Sequence, residues 1–169
     1  MEDAALRDAE DECYTPDFRG DYRAGQMLKH SSGPYKEWCP PMRDDSYVIG
    51  VDVAEGLSYG DYSCAQVLDS LGRQVACWHG HIDPFEWGNV ISALGQRWNT
   101  AYVIVERNNH GLTTLRRLQE VGYPSLFVES SVDSAYGDRL TKRGGFLTTS
   151  KTKPLIIDNL AASLRQGES

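Results

Sequence analysis

No apolar stretch in this chain approaches the roughly 18 to 20 residues that a membrane helix needs, so no spanning helix and no membrane partner is expected. The N-terminus is acidic, whereas a secretory leader is basic and then apolar. Cysteine is scarce. Cys13, Cys39, Cys64 and Cys77 form no CxxC pair and no even framework, which favours reduced thiols of a cytosolic chain over disulfides or a zinc site. There is no GxxxxGKS or GxxxxGKT phosphate cradle, no internal repeat, no low-complexity tract and no serine-nucleophile signature.

Positive charge is also in deficit: 17 Lys and Arg against 24 Asp and Glu give a net charge of -7. Spread evenly, that excess would repel a polyanion, but it is not spread evenly. The opening MEDAALRDAEDEC holds six acids and one arginine, most of the surplus. The segment 138–153, DRLTKRGGFLTTSKTK, is locally basic through Arg139, Lys142, Arg143, Lys151 and Lys153. The local field decides steering, so a DNA partner remains open, with these five as candidate phosphate contacts.

What is present suits one globular domain. The 169 residues are 40% hydrophobic and 24% charged, enough for a sizeable core. Residues 1–45 are polar and rich in turn formers, and read as an acidic tail and linker, poorly structured, on which Tyr35 and Trp38 could dock. Residues 46–169 carry regular patterns. YVIGVDV (47–53), SCAQVLD (63–69) and RQVACWHGH (73–81) are strands rich in β-branched and alternating residues, joined by short turns into an antiparallel meander. In PFEWGNVISALGQRWN, Trp87, Val90, Ile91, Leu94 and Trp98 recur on one helical face behind Pro84. AYVIVE (101–106) reads as a strand buried on both faces. LTTLRRLQEVG is a helix ending at Gly122, SLFVE (125–129) a further strand, and residues from about Thr152 to Arg165 a last helix with Pro154 in its first turn. The order predicts an α/β fold, a three-strand meander feeding βαβ units.

Two acids stand out. Asp52 sits inside an apolar strand, where an unpartnered carboxylate is costly to bury. Glu106 closes the most hydrophobic strand, and ligands of open α/β sheets gather at the carboxyl ends of strands. If the two strands are neighbours, the carboxylates share a crevice and repel, one keeping a proton unless a cation intervenes. Hard divalent ions take oxygen ligands, and two of them about 4 Å apart can activate water and stabilise a leaving oxygen in phosphodiester hydrolysis. Alone, Glu106 could instead cap a helix or pair with Arg107 or Arg139. The HGH at 79–81 puts two imidazoles on one side of a strand and reads as a surface pair.

YVIGVDVAEGLSYGDYSCAQVLD, AYVIVERNNHGLTTLRRLQEVGYPSLF and GFLTTSKTKPLIIDNLAASLRQGE, in that order, resemble the nuclease domain of the large terminase subunit of tailed bacteriophages, over roughly residues 35–169. The resemblance implies an RNase H-like fold: a five-stranded mixed sheet, the antiparallel meander plus parallel strands, flanked by helices. It implies cutting of concatemeric double-stranded DNA during genome packaging by a two-metal mechanism with Mg²⁺ or Mn²⁺, in the host cytoplasm, with portal and small terminase subunit as partners. Asp52 matches the first catalytic carboxylate and Glu106 the second. Asp61 in GDYS matches an acid of the following turn, which would support the metal ligands from behind or hold a metal-bound water. Asn108, Asn109 and His110 match the polar turn after the second motif and could touch DNA or order the loop. Two departures imply a chain incomplete at both ends: the ATPase motor that precedes this nuclease is missing, and so is the later segment that carries the third metal ligand. Asp158, on the flank of the last helix's apolar face, reads as a solvated acid rather than its substitute. The isolated chain is therefore expected to be weakly active or inactive. One alternative is a catalytically incomplete DNA-binding or assembly fragment of the packaging motor. A further alternative, an actin-like or sugar-kinase-type phosphate-binding domain, requires a second glycine-rich turn that the sequence lacks.

Overall fold

The computed structural model of the chain describes residues 16–23, 25–107, 110–133 and 139–167. The order is β1 (Phe18–Arg23), β2 (Gln26–Lys29), β3 (Tyr35–Glu37), β4 (Val48–Asp52), β5 (Ser63–Leu68), β6 (Gln74–Gly80), α1 (Pro84–Arg97), β7 (Tyr102–Val105), α2 (Gly111–Glu120), β8 (Val128–Asp133), β9 (Arg139–Gly144) and α3 (Thr152–Gly167). A mixed seven-stranded sheet runs β2-β1-β3-β6-β5-β4-β7, and β8 and β9 form a separate two-stranded sheet. The expected meander is β4-β5-β6, antiparallel throughout. β7 returns through α1 to lie parallel to β4, with Val51 opposite Val105.

The alternation along each strand sorts the sheet into two faces. Ile49, Val51, Ala65, Val67, Trp78, Val103 and Val105 are almost completely buried. They share one core with Trp87, Val90, Ile91, Leu94 and Trp98 of α1 and with Leu115 and Leu118 of α2. The predicted apolar face of α1 is thus the face it buries. Asp83 starts the helix by accepting from the backbone N–H groups of Phe85 and Glu86. Gly88 is where α1 meets Arg117 of α2, whose Cβ lies 2.6 Å from the position a side-chain Cβ at 88 would take.

Four expectations need correction. The sheet has seven strands, because part of the stretch read as tail and linker is folded: residues 18–37 contribute β1, β2 and β3, and β3 pairs antiparallel with β6. These strands are short and polar, so their periodicity is weak, yet Tyr35 and Glu37 are fully buried. β7 is buried on one face only, since Tyr102 is 43% exposed. SLFVE is not one strand. Leu126 makes an isolated parallel bridge to Val103, and regular pairing starts only at Val128, within the β8–β9 hairpin. Finally, Asp52 is not in the middle of its strand. It is the last residue of β4, and its side chain faces away from the core, partly open to solvent.

The hairpin is rooted beside β7: Gly145 N donates to Phe127 O and Phe146 N to Val105 O. Gly145 has φ +78°, and a Cβ there would lie 2.7 Å from both Val105 O and Leu115 Cδ1. Gly145→Ala combines a left-handed backbone with a clash against main chain, and is expected to cost about 3 kcal/mol by urea denaturation. Gly72→Ala, at the same φ but with nothing within 4 Å, should cost only about 1 kcal/mol.

Candidate active site

β4 and β7 deliver the two acids by register. Val51 and Val105 face the core as partners, and Glu106 N donates to Val51 O at 2.8 Å. One residue further on, the pleat turns Asp52 and Glu106 to the opposite face. There the two side chains come into hydrogen-bond contact. The Asp52 backbone is pinned from below, its carbonyl accepting from Trp87 Nε1 at 3.3 Å. Ser63 Oγ, fully buried, accepts from Ala54 N at 3.0 Å and fixes the chain as it leaves β4.

The electrostatics follow from this contact. The Asp52 carboxyl titrates above the ordinary aspartate range. Partial burial is the main cause, followed by the hydrogen bond to Glu106 and its negative charge, and Asp61 adds to the rise. The hydrogen bond from Val53 N to Oδ1, 2.9 Å, opposes it. Two carboxylates therefore meet at one sheet end, and the charge of Asp61 reaches Asp52 from the neighbouring turn. The protein supplies oxygen donors held against mutual repulsion, a set suited to a hard divalent cation. Among the described residues, no group of three or more His, Cys, Asp or Glu side chains is assembled closely enough to hold a metal ion by itself.

Asp61 is exposed in the β4–β5 turn. With Val53, Glu55, Tyr59, Gly60 and His110 it lines an adjacent cavity of about 440 Å³. His110 Nε2 approaches Glu55 Oε1 at 3.5 Å. Sequence reasoning missed Glu55, although its place three residues after Asp52 in the same turn was a usable signal. It also left Tyr62 unremarked, whose ring stacks on His81 at 4.1 Å and packs against His79 at 4.5 Å. The imidazole pair therefore has an aromatic neighbour on β5's approach. Next along the chain, Arg107 Nη2 bonds Glu129 Oε2 at 2.8 Å.

Of the basic residues, Lys142 and Arg143 are exposed on β9, while Lys151 and Lys153 are exposed where α3 begins. The Arg139 side chain, Asn108 and Asn109 lie outside the described part of the structure. Asp158 is exposed on α3.

No family model matches the chain, and no curated protein matches it. Solved structures do. The large terminase nuclease from thermophilic phage G20c with bound magnesium aligns at TM-score 0.61 and 19% identity, over 89% of this chain and 65% of that one. The same nuclease with bound cobalt aligns at 0.60, 19% identity, 89% and 65%. With bound zinc it aligns at 0.59, 19% identity, 89% and 71%. The chain spans 65% of the length of the first two. The fold is therefore that of these nucleases, an RNase H-like mixed sheet with helices.

Proposed function

We propose that this chain is a metal-dependent endonuclease domain of a viral DNA-packaging terminase, cutting concatemeric double-stranded DNA. One observation carries the reading: on a terminase-nuclease fold, β4 and β7 place two acids in contact at the carboxyl ends of parallel strands, on the face turned away from the core. Asp52 and Glu106 are the ligands and catalytic carboxylates. Two Mg²⁺ or Mn²⁺ ions supply the chemistry when bound, lowering the pKa of an attacking water and neutralising charge at the leaving oxygen.

The chain's own residues do the rest. The parallel register fixes the two backbones from which the carboxylates project, so the chain need not rearrange when a cation arrives. Asp61 orients a water or adds negative charge at the mouth of the site. Lys142, Arg143, Lys151, Lys153, Arg139, Asn108 and Asn109 contact the DNA. The proposed setting is the host cytoplasm, with portal and small terminase subunit as partners, and the nuclease unit takes in β1–β3 together with residues 46–169. Plasmid nicking in Mn²⁺ tests the reading. Cutting should disappear in the Asp52→Ala, Glu106→Ala double variant, and robust cutting that survives it removes the proposed site.

A second reading is favoured by the absence, among the described residues, of a complete three-ligand cluster. It makes the chain a DNA-binding or assembly module without catalysis. Millimolar Mn²⁺ should then leave the melting temperature unchanged, whereas the nuclease reading expects it to rise.

A further inference from the structure

We infer that a separate binding site for a phosphate group lies between α2 and the root of the β8–β9 hairpin. A cavity of about 210 Å³ opens there, lined by Arg107, Arg116, Arg143 and Gln119, with Leu115 and Gly144 among its walls. Three arginines, one glutamine and no acid line it, beside Leu112, Leu115 and Gly144. Two acids approach from outside it: Glu129 takes Nη2 of Arg107 at 2.8 Å, and Glu120 takes Nε of Arg116 at 3.1 Å. Neither contact satisfies the rest of these guanidinium forks.

The second observation concerns Arg107 itself. Its side chain is only 10% exposed, and its Nη1 is buried without a hydrogen-bond partner among the described residues. A buried cationic N–H group left unmatched is costly, and such a group in a native fold calls for an explanation, a bound ion being one. A tetrahedral oxyanion answers it, because the arginine fork matches phosphate oxygens two at a time. Arg107 is also the residue directly after Glu106, so the cavity begins one step along the chain from the carboxylate pair.

The phosphate has two possible sources. A nucleic-acid backbone rests on the nuclease reading; free inorganic phosphate does not. Binding is measured on the full chain with chelator present, so that no cutting occurs, using a short fluorescein-labelled duplex across a salt series. Arg116→Gln with Arg143→Gln should weaken duplex binding about tenfold and lower the slope of log Kd against log salt by about one. Arg23→Gln with Arg73→Gln, the same charge change elsewhere, should leave the slope alone. Calorimetry with inorganic phosphate forms the second arm.

Loss of duplex affinity confined to the first pair assigns the site to a DNA phosphate. Phosphate binding that is lost in the first pair while duplex binding is intact assigns it to the free ion. No change in either arm overturns the site. That result leaves the nuclease reading standing if Asp52 and Glu106 still govern cutting. Phosphate binding by a chain that never cuts DNA removes the nuclease reading and keeps the site.

Discussion

Asp52→Asn is expected to lower Mn²⁺-dependent plasmid cutting on the order of a thousandfold, since cation-based charge stabilisation contributes several kcal/mol to such reactions. The same substitution should stabilise the metal-free fold at neutral pH, an opposite effect in the two assays that a merely structural residue would not give. The reason lies in the forced contact with Glu106. Asp52 titrates above its ordinary range in the folded chain, so between the unfolded and folded values the native state holds the extra proton. Stability therefore falls as pH rises through that window. A thermal melt series from about pH 4 upward, in chelator, should show this decline in the wild type. The decline should be reduced in Asp52→Asn, and added Mn²⁺ should offset it in the wild type only. If both proteins melt alike at every pH and metal level, the two carboxylates are not coupled in solution.

Glu37→Ala should be among the most destabilising single changes, costing about 3 kcal/mol, a drop of roughly 6 to 12 °C for a domain of this size. Glu37 is 3% exposed on β3. Arg97 grips it with Nε and Nη2, both at 2.8 Å, and the Tyr35 hydroxyl donates to it at 2.6 Å. Trp98 Nε1 in turn donates to the Tyr35 hydroxyl at 3.0 Å. Burial, with Glu37 beside it, pushes the Tyr35 hydroxyl far above the usual tyrosine range. Truncating Glu37 leaves a partly buried guanidinium and a buried hydroxyl without their acceptor, which costs more than the pair contributed. The exposed Arg23–Asp21 pair, 3.2 Å apart on β1, offers the contrast: Asp21→Asn should fall within about 0.5 kcal/mol. Equal effects at the two sites would mean that β3 is not an integral strand of the sheet.

The meander, α1 and β7 were legible because each buries a continuous apolar pattern: Trp87 through Trp98 at helical spacing, and Val103 and Val105 along a strand. The edge strands were not. FRGDYR and QMLK bury little, and their place is set by backbone pairing, β1 with β3 and β2 with β1, which no side-chain period records. Glu106 was legible as an acid closing an apolar strand and Asp52 as an acid within one, although Asp52 in fact ends β4, and their convergence followed once the parallel register was known. The arginine-lined cavity was beyond reach. Arg143 was visible as part of a basic run, but Arg107 and Arg116 lie in other segments and meet it only through tertiary packing.

The parallel pairing of β4 with β7 also bears on how this chain acquires its chemistry. The meander can zip locally, strand after adjacent strand, but Glu106 reaches Asp52 only after the intervening hairpins and the α1 crossover are in place. That long-range closure is the entropically slow part of such a topology. A copy in which β7 has not docked on β4 therefore holds the two acids apart, and their contact reports that the crossover has closed.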